Sequence, residues 1–371
     1  MTTTSTTLTF ASDRVEAAEI VLACTDLEST LTFFTDTLGF RVAAVFPADA
    51  PEVAVVAGHG LRLRLDCGAR GAPGTVRLAC REPDAVAGGL RRLTAPNGTV
   101  IDIADADPPL VIPPLASRLV VTRREVDATW HRGRAGLTYR DLIPDRLGGR
   151  FIASHIRIEQ GGPVPDYVHF HKIRFQMIYV TRGWVRVVYE DQGAPFVMHA
   201  GDCVLQPPQI RHRVLDSSPG LEVVEVACPA WHETFADPAV KLPNARLRPR
   251  RDFSGQRFVR HIAVRAPWQT AGAFETRDIG LAAATRGLAA ARVVRARGVP
   301  PPRMAALHDA EFDFLFVLSG ALTLVCEGMH RLEPGDCCSI PAGQDYAIED
   351  CTPDLQLLEV MLPAAAAGVP A

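Results

Sequence analysis

The alternation of apolar and polar residues divides the chain into three blocks. Strand-like and helix-like patterns alternate over residues 16–112. Two later blocks, residues 135–237 and 253–365, consist of short strand-like runs separated by turn residues. Short strands at regular spacing are typical of β-sandwiches and barrels. The pattern therefore predicts a mainly β protein with an α+β domain at its N-terminal end.

The first block begins with an expected strand, Glu19–Cys24, followed by a helix. Asp26 is a suitable N-cap, and Gly39 ends the helix where a left-handed residue is favoured. A second helix is predicted over Pro83–Leu93 from its apolar spacing. The other strands predicted in this block are Arg41–Phe46, Val53–Ala57, Leu61–Asp66, Val76–Cys80 and Thr99–Ile103. The block is therefore interpreted as a βαβββ-type module followed by a shorter unit.

The second and third blocks share the same order of turn residues. Gly183 in one and Gly320 in the other precede a Gly-Asp pair, which is followed by a proline turn. We infer an internal duplication of a β-barrel unit of about 100 residues. The proline-rich, basic stretch 238–252 is interpreted as a linker. Residues 1–15 are interpreted as a disordered leader.

Composition narrows the classes of partner. The formal net charge of −3 leaves no basic excess for phosphate contacts, which argues against nucleic acid. No apolar run approaches the ~20 residues that span a membrane, and the N-terminus lacks a signal-peptide pattern. Nine cysteines occur without a C-x-x-C pair, as expected for reduced thiols. We therefore expect a cytoplasmic protein with a small-molecule substrate, and homo-oligomer formation stays open.

Four residues of the second block form the strongest candidate site. His169 and His171 are two apart on an expected strand, so their side chains point to the same face. Gln176 follows past a bend, and His212 follows a proline turn. Imidazole ligands suit iron, zinc, copper and nickel alike. The pattern therefore predicts a mononuclear metal site inside a barrel.

The spacing of these residues resembles the paired signature of the cupin superfamily, H-x-H-x4-E-x6-G followed by G-x5-P-x-G-x2-H. Gln176 replaces the usual Glu, and Gln209 replaces the usual Gly. The residues at the signature positions are His169, His171, Gln176, Gly183, Gly201, Pro207, Gln209 and His212. The resemblance implies two cupin (double-stranded β-helix) barrels. It also implies one divalent metal ion held by the three histidines, with Gln176 in the fourth ligand position.

The exchange of Glu for Gln176 changes the charge of the site. Three imidazoles and an amide bring no negative charge, so a bound cation keeps its full attraction for anionic substrates. Similarity to two-barrel cupins suggests an Fe(II) dioxygenase acting on a small oxygenated acid, aromatic acids included. Iron is favoured, with Zn, Mn, Ni and Cu as alternatives. Tyr179 and Arg157 are weak candidates for catalytic residues.

Two other classes of function stay open, because one fold hosts many reactions. One is a metal-dependent isomerase, lyase or decarboxylase that uses no O2. The other is a non-catalytic cupin that binds a small molecule.

The third block fits the same signature with losses. His308 and Asp313 match the second histidine and the acidic position, whereas Ala306 and Tyr346 replace the other two histidines. This resembles a barrel with a degenerate site. His308, Asp313 and Tyr346 are weak secondary metal candidates, and a stabilising role for this barrel is favoured.

The first block resembles the glyoxalase/vicinal-oxygen-chelate superfamily. The resemblance rests on the run from Glu19 to Ser29, on Leu38-Gly39-Phe40, and on the turn and strand from Pro96 to Asp102. The positions that match the metal ligands of that family are Glu19 and Asp102, where His and Glu are usual. A structural or oligomerisation role is the favoured interpretation of this block.

Overall fold

The computed structural model describes residues 15–127 and 129–364. The chain forms two compact units, Met1–Pro109 and Leu110–Ala371. The expected leader, residues 1–15, lies outside the described residues except for Val15. No helix among the described residues is long and apolar enough to cross a membrane. The nine cysteines all lie in the described part of the chain and are unpaired, as the sequence predicts.

The first unit contains two small sheets. One has the strand order β1-β4-β3-β2, with β1 parallel to β4, and the other has the order β5-β7-β6. The strands are β1 (Ile20–Ala23), β2 (Arg41–Phe46), β3 (Val53–Gly58), β4 (Leu61–Asp66), β5 (Thr75–Cys80), β6 (Arg92–Thr94) and β7 (Val100–Asp105). The predicted βαβββ order of the first half is therefore present.

The helix of this unit begins and ends where the sequence predicts. Asp26 caps α1 (Leu27–Thr32) through its side chain, which accepts a hydrogen bond from the Ser29 N–H at 3.0 Å. The helix continues as a π-helical turn over Phe33–Thr37. Gly39 then takes a φ of 72°, in the left-handed region that favours glycine.

The second predicted helix, Pro83–Leu93, is wrong. The structure has two short 3-10 turns, Pro83–Ala85 and Ala87–Gly89, followed by the strand Arg92–Thr94. Gly88 has a φ of 63° and Gly89 a φ of 85°, so neither residue continues a right-handed helix. The spacing of apolar residues is not enough to form a helix here, because the pair Gly88-Gly89 interrupts it.

The second unit is a β structure with few helical turns. Its first half contains α2 (Arg146–Gly149) and a 3-10 turn, Arg134–Gly136. The strands of this half are β8 (Val120–Thr122), β9 (His131–Arg132), β10 (Thr138–Asp141), β11 (Ile152–Ile158), β12 (Gly162–Pro163), β13 (His169–His171), β14 (Phe175–Arg182), β15 (Trp184–Tyr189), β16 (Phe196–His199), β17 (Cys203–Leu205), β18 (His212–Ser217), β19 (Leu221–Cys228) and β20 (Thr234–Ala236).

The second half of this unit is built in the same way. It contains a 3-10 turn, Ala263–Arg265, and α3 (Leu281–Ala284). Its strands are β21 (Val259–His261), β22 (Gln269–Ala271), β23 (Phe274–Asp278), β24 (Ala290–Ala296), β25 (Met304–Ala306), β26 (Phe312–Ser319), β27 (Leu322–Val325), β28 (Met329–Leu332), β29 (Cys337–Ile340), β30 (Tyr346–Glu349) and β31 (Gln356–Leu362).

These strands form two barrels, each made of two facing sheets. The first barrel consists of a seven-stranded sheet, β21-β17-β14-β19-β11-β10-β9, and a six-stranded sheet, β16-β15-β18-β13-β20, whose β18 also pairs with β12. The second barrel consists of a seven-stranded sheet, β22-β23-β24-β31-β26-β29-β8, and a four-stranded sheet, β25-β30-β27-β28. The duplication inferred from the turn residues is thus visible in the topology.

Each barrel contains one strand that comes from outside its own segment of the chain. β8 precedes the first barrel in sequence but pairs with β29 of the second. β21 lies in the block predicted as the second barrel, residues 253–365, but pairs with β17 of the first. β8 and β21 pair with β29 and β17, whose backbone groups would otherwise be unpaired at the edge of the sheet. The two barrels are therefore tied together by backbone hydrogen bonds as well as by packing.

The two seven-stranded sheets pack against each other and are buried on both faces. Met177 and Tyr179 of β14 lie in one apolar core with Phe312 and Phe314 of β26. The alternate residues of β14, Gln176 among them, face the interior of the first barrel. Strand alternation therefore decides which side chains reach the candidate site and which form the contact between barrels.

The two motif glycines, Gly183 and Gly320, are required at their positions for the same steric reason. A Cβ on Gly320 would lie 2.5 Å from Thr352 Oγ1 and 2.6 Å from Leu355 Cα, and φ is +67°. A Cβ on Gly183 would lie 2.3 Å from Ser218 Oγ, at a φ of +76°. Each position allows only glycine because a loop of the same barrel crosses close above it.

We expect Gly320→Ala to destabilise the second unit more than Gly287→Ala. Both residues have positive φ, but a Cβ on Gly287 meets nothing within 4 Å. Gly287→Ala should therefore lose only about 1–2 kcal/mol from backbone strain. Gly320→Ala should lose about 1–3 kcal/mol more from overpacking. Urea unfolding followed by tryptophan fluorescence measures this difference, because all four tryptophans lie beyond Pro109. Equal losses would contradict the steric explanation.

Candidate metal centre

The three predicted histidines meet inside the first barrel. His169 and His171 lie on β13, and His212 begins β18, which pairs with β13 so that His169 is opposite His212. One ring nitrogen from each histidine lies within 4.8 Å of the corresponding nitrogens of the other two. All three side chains are buried. Among the described residues, this is the group of histidine, cysteine and acidic side chains with the geometry to hold a metal ion.

Hydrogen bonds to the main chain fix the tautomer of each ring. Nδ1 of His169 lies 2.8 Å from the carbonyl oxygen of Tyr167, and Nδ1 of His212 lies 3.0 Å from that of Ile210. Nδ1 of His171 lies 3.3 Å from the carbonyl oxygen of Glu233. A carbonyl oxygen only accepts, so each Nδ1 carries the proton and each Nε2 keeps its lone pair. Such bonds are typical of metal-binding histidines.

Burial also keeps these rings neutral. It is the main cause that lowers the pKa of His171 to about 3, with the neighbouring His232 and His169 contributing. Burial lowers the pKa of His212 well below its ordinary value, and burial together with Arg134 lowers the pKa of His169. The three rings therefore offer lone pairs to a cation at neutral pH.

Gln176 lies on β14 and supplies a fourth polar group to the same cavity. Its Nε2 donates a hydrogen bond to Oε1 of Glu225 at 2.5 Å. Its Oε1 is buried and has no hydrogen-bond partner among the described residues. An orphaned buried oxygen is costly unless it binds something. Three neutral imidazoles with a lone pair on Nε2 and one orphaned amide oxygen fit a divalent metal ion.

Arg134 is a residue of this site that the sequence did not reveal. It begins the 3-10 turn before β10, and its Nη2 lies 2.6 Å from Nε2 of His169. Its Nη1 donates to Asp166, which is buried and also accepts from the Val214 N–H. A metal ion and this guanidinium would compete for the same lone pair. Metal binding therefore requires Arg134 to withdraw from Nε2, which leaves a positive charge beside the metal.

The site opens into a cavity of about 450 Å³. Most of its wall is apolar, formed by residues that alternate along the strands of both sheets. The apolar residues are Leu137, Ile152, Ile156, Ile158, Ile178, Val185, Val187, Met198, Val204, Val214, Leu221, Val223 and Ala230. Further polar residues of the wall include His131, Tyr139, Arg146, Gln206, Glu225 and His232. The ring of His232 lies 5.2 Å from that of His171.

The two weak catalytic candidates do not line this cavity. Tyr179 belongs to the core between the barrels, and burial raises the pKa of its hydroxyl. Arg157 pairs with Glu159 and lies over the ring of Trp130. Both residues are odd-numbered members of strands whose even-numbered residues face the cavity, so alternation turns them away from it.

The secondary candidates of the second barrel are buried together. Nε2 of His308 lies 3.6 Å from Oδ2 of Asp313, and the ring of His308 lies 6.1 Å from that of Tyr346. Arg292 of β24 forms an ion pair with Glu359 of β31 at this place. Among the described residues, His308, Asp313 and Glu359 do not form a group with the geometry to hold a metal ion.

The candidate ligands of the first unit have arginine partners. Arg62 donates to Glu19 at 2.8 Å, and Arg77 lies 3.9 Å from Asp102. Neither carboxylate belongs to a group with metal-binding geometry in the described residues of that unit. Both therefore act in this structure as members of ion pairs.

Comparisons with known proteins find similar structures only. No family model matches the chain, and no curated protein does. Oxalate decarboxylase from Bacillus subtilis matches with a TM-score of 0.49 and 14% identity, over 70% of this chain and 79% of that one. Protein Ylba from E. coli matches with a TM-score of 0.49 and 11% identity, over 68% of this chain and 93% of that one. A further structure of the Bacillus enzyme, whose description mentions Mn(II) centres, matches at 14% identity and a TM-score of 0.49, over 70% of this chain and 80% of that one.

We expect metal affinity to stay constant as the pH falls from about 8 to about 6. Protons compete with a metal for the histidine lone pairs, and this competition begins when the pH approaches the pKa of the ring. Ordinary histidines, with a pKa of about 6.5, would lose affinity over this range. The pKa of about 3 for His171 moves that loss to lower pH. Calorimetric titration with Mn(II) at several pH values measures it, and a tenfold loss by pH 6 would contradict the account.

Proposed function

We propose that the first barrel is a metal-dependent enzyme, an Fe(II) dioxygenase that acts on a small oxygenated acid. The observation that supports this proposal is the set of three clustered neutral imidazoles and one orphaned amide oxygen, in a cavity that also contains Arg134. Iron(II) held by His169, His171, His212 and Gln176 would supply dioxygen activation and Lewis acidity.

The charge of the donor set supports an anionic substrate. Neutral imidazoles and an amide leave both positive charges of a divalent ion uncompensated. Arg134 adds a third positive charge next to His169, partly balanced by Asp166. An acid bound in the cavity would meet these charges at one end. A planar guanidinium can hold a carboxylate through two parallel hydrogen bonds.

The rest of the cavity supports a compact, partly apolar substrate. A volume of about 450 Å³ lies in the range of small-molecule sites. Aliphatic side chains from both sheets form most of the wall, so they exclude water and accept a ring or a short hydrocarbon body. The apolar wall and the charged end together orient an acid with its oxygen atoms towards the histidines.

The direct test is oxygen consumption by the protein reconstituted with Fe(II). A panel of aliphatic and aromatic hydroxy acids is added, and substrate loss and oxygen loss are measured together. Equal rates of the two losses for one acid would support the proposal. Turnover without oxygen loss would replace it with a metal-dependent isomerase, lyase or decarboxylase. Tight binding of an acid without turnover would replace it with a non-catalytic binding protein.

We expect Arg134→Lys to raise KM for the acid by tenfold or more. Lysine keeps a charge for Asp166 but lacks the planar fork that binds a carboxylate bidentately. Metal affinity should not fall, because the arginine competes with the metal for Nε2 of His169. Arg186→Lys is the control, since Arg186 pairs with Asp216 at an exposed position. If KM is unchanged in Arg134→Lys, this residue does not bind the acid.

A further inference from the structure

Of three equivalent positions in the two barrels, two carry different side chains and one carries glutamate in both. Gln176 of the first barrel corresponds to Asp313 of the second, because each lies seven residues before a motif glycine. On the neighbouring strand, Glu225 pairs with the residue two after Gln176, and Glu359 pairs with the residue two after Asp313. Both barrels therefore have a glutamate at the equivalent place, on β19 of the first barrel and on β31 of the second.

The third position decides what this glutamate does. Ser154 pairs with Glu225 on one side, and Arg292 pairs with Glu359 at the equivalent place. In the second barrel the arginine forms an ion pair with the glutamate. Serine cannot form an ion pair. The carboxylate of Glu225 lines the cavity instead, and its hydrogen bond goes to Gln176.

This hydrogen bond settles the orientation of the Gln176 amide. A carboxylate accepts hydrogen bonds, so Glu225 can bind Nε2 of Gln176 but not its Oε1. The amide oxygen is thereby turned away from Glu225. This Oε1 is buried and has no hydrogen-bond partner among the described residues. An amide binds a metal through this oxygen, so the contact with Glu225 presents the atom that a cation needs.

We propose that Glu225 is a positioning residue of the metal centre, which holds the amide of Gln176 with Oε1 available as the fourth ligand. The proposal rests on the metal centre of the proposed function. Glu225 also supplies one negative charge, one hydrogen bond away from that ligand. The site thus keeps the charge of a carboxylate near the metal while all four ligand atoms stay neutral. Partners behind a ligand are known to tune metal affinity in this way.

The pair also explains why Gln stands at position 176. A glutamate there would place two carboxylates in contact, since the two side chains are 2.5 Å apart. The second barrel has that combination, with Asp313 near Glu359. There, burial and Glu359 hold the pKa of Asp313 well above its ordinary value although Arg292 opposes the shift. The first barrel avoids the conflict by having an amide.

Three variants test the role of Glu225 by titration with Co(II), whose visible absorption reports its ligands. Glu225→Ala removes the acceptor, so Co(II) affinity should fall about 10- to 100-fold and the spectrum should change. Glu225→Gln keeps an acceptor oxygen but loses the charge, and its affinity should lie between that of Glu225→Ala and the native protein. The exchange Gln176→Glu with Glu225→Gln keeps both the hydrogen bond and the net charge. It should bind Co(II) at least as tightly as the native protein.

Controls separate this inference from the proposed function. Glu159→Ala, at an exposed ion pair outside the cavity, should leave affinity and spectrum unchanged. Thermal melting of each metal-free variant shows whether it folds. If the native protein binds Co(II) and Glu225→Ala binds it equally well with the same spectrum, the role of Glu225 is refuted and the metal centre stands. If the native protein binds no Co(II), Fe(II) or Mn(II), both are refuted.

Discussion

Hydrogen bonds from three histidine Nδ1 atoms to main-chain carbonyl oxygens are the constraint on which the site depends. They fix the tautomer of His169, His171 and His212 with the proton on Nδ1, which leaves each Nε2 lone pair for another partner. One ring nitrogen of each histidine lies within 4.8 Å of those of the other two. Burial then keeps the rings neutral. Neutral imidazoles that carry their proton on Nδ1 can bind a cation through Nε2, and at His169 the cation would displace the Arg134 guanidinium.

The two barrels show how one scaffold carries a cavity in one copy and a closed polar cluster in the other. Glu225 of β19 and Glu359 of β31 occupy the same place in the two barrels. Arg292 neutralises it in the second barrel, whereas Ser154 leaves it for Gln176 in the first. Two exchanges around this glutamate, Asp313 for Gln176 and Arg292 for Ser154, therefore accompany the difference between the barrels. The sheet of the second barrel packs on the back of the sheet that carries Gln176.

The sequence predicted the features that depend on local spacing. The alternation of β13, the turn before His212 and the motif glycines are local, and the three histidines meet as expected. The roles of Arg134 and Glu225 depend on pairing between strands far apart in sequence, which no local pattern reveals. The pairing of β8 with β29 and of β21 with β17 likewise joins distant segments and is not predicted by local sequence. The mistaken helix at Pro83–Leu93 has the opposite origin, since the glycine pair that breaks it was visible in the sequence.

Strand parity was a further signal that the sequence contained. Gln176 and Ile178 face the cavity, so Tyr179 on the same strand faces the core. Applied along β11, the same rule turns Arg157 away while it brings Ser154 to the cavity. The alternation of side chains along β14 and β11 is therefore enough to exclude Tyr179 and Arg157 from the cavity wall. It could not have replaced them, because the choice among cavity-facing residues depends on which partners they meet across the barrel.

Elemental analysis shows directly whether His169, His171 and His212 hold a metal ion. The native protein and His171→Ala are purified, stripped with a chelator, and reconstituted with Fe(II) or Mn(II). Exposed His199→Ala serves as the control. We expect about one metal ion per chain in the native protein and in His199→Ala, and a loss of most of it in His171→Ala. Equal metal content in the native protein and His171→Ala would contradict the account.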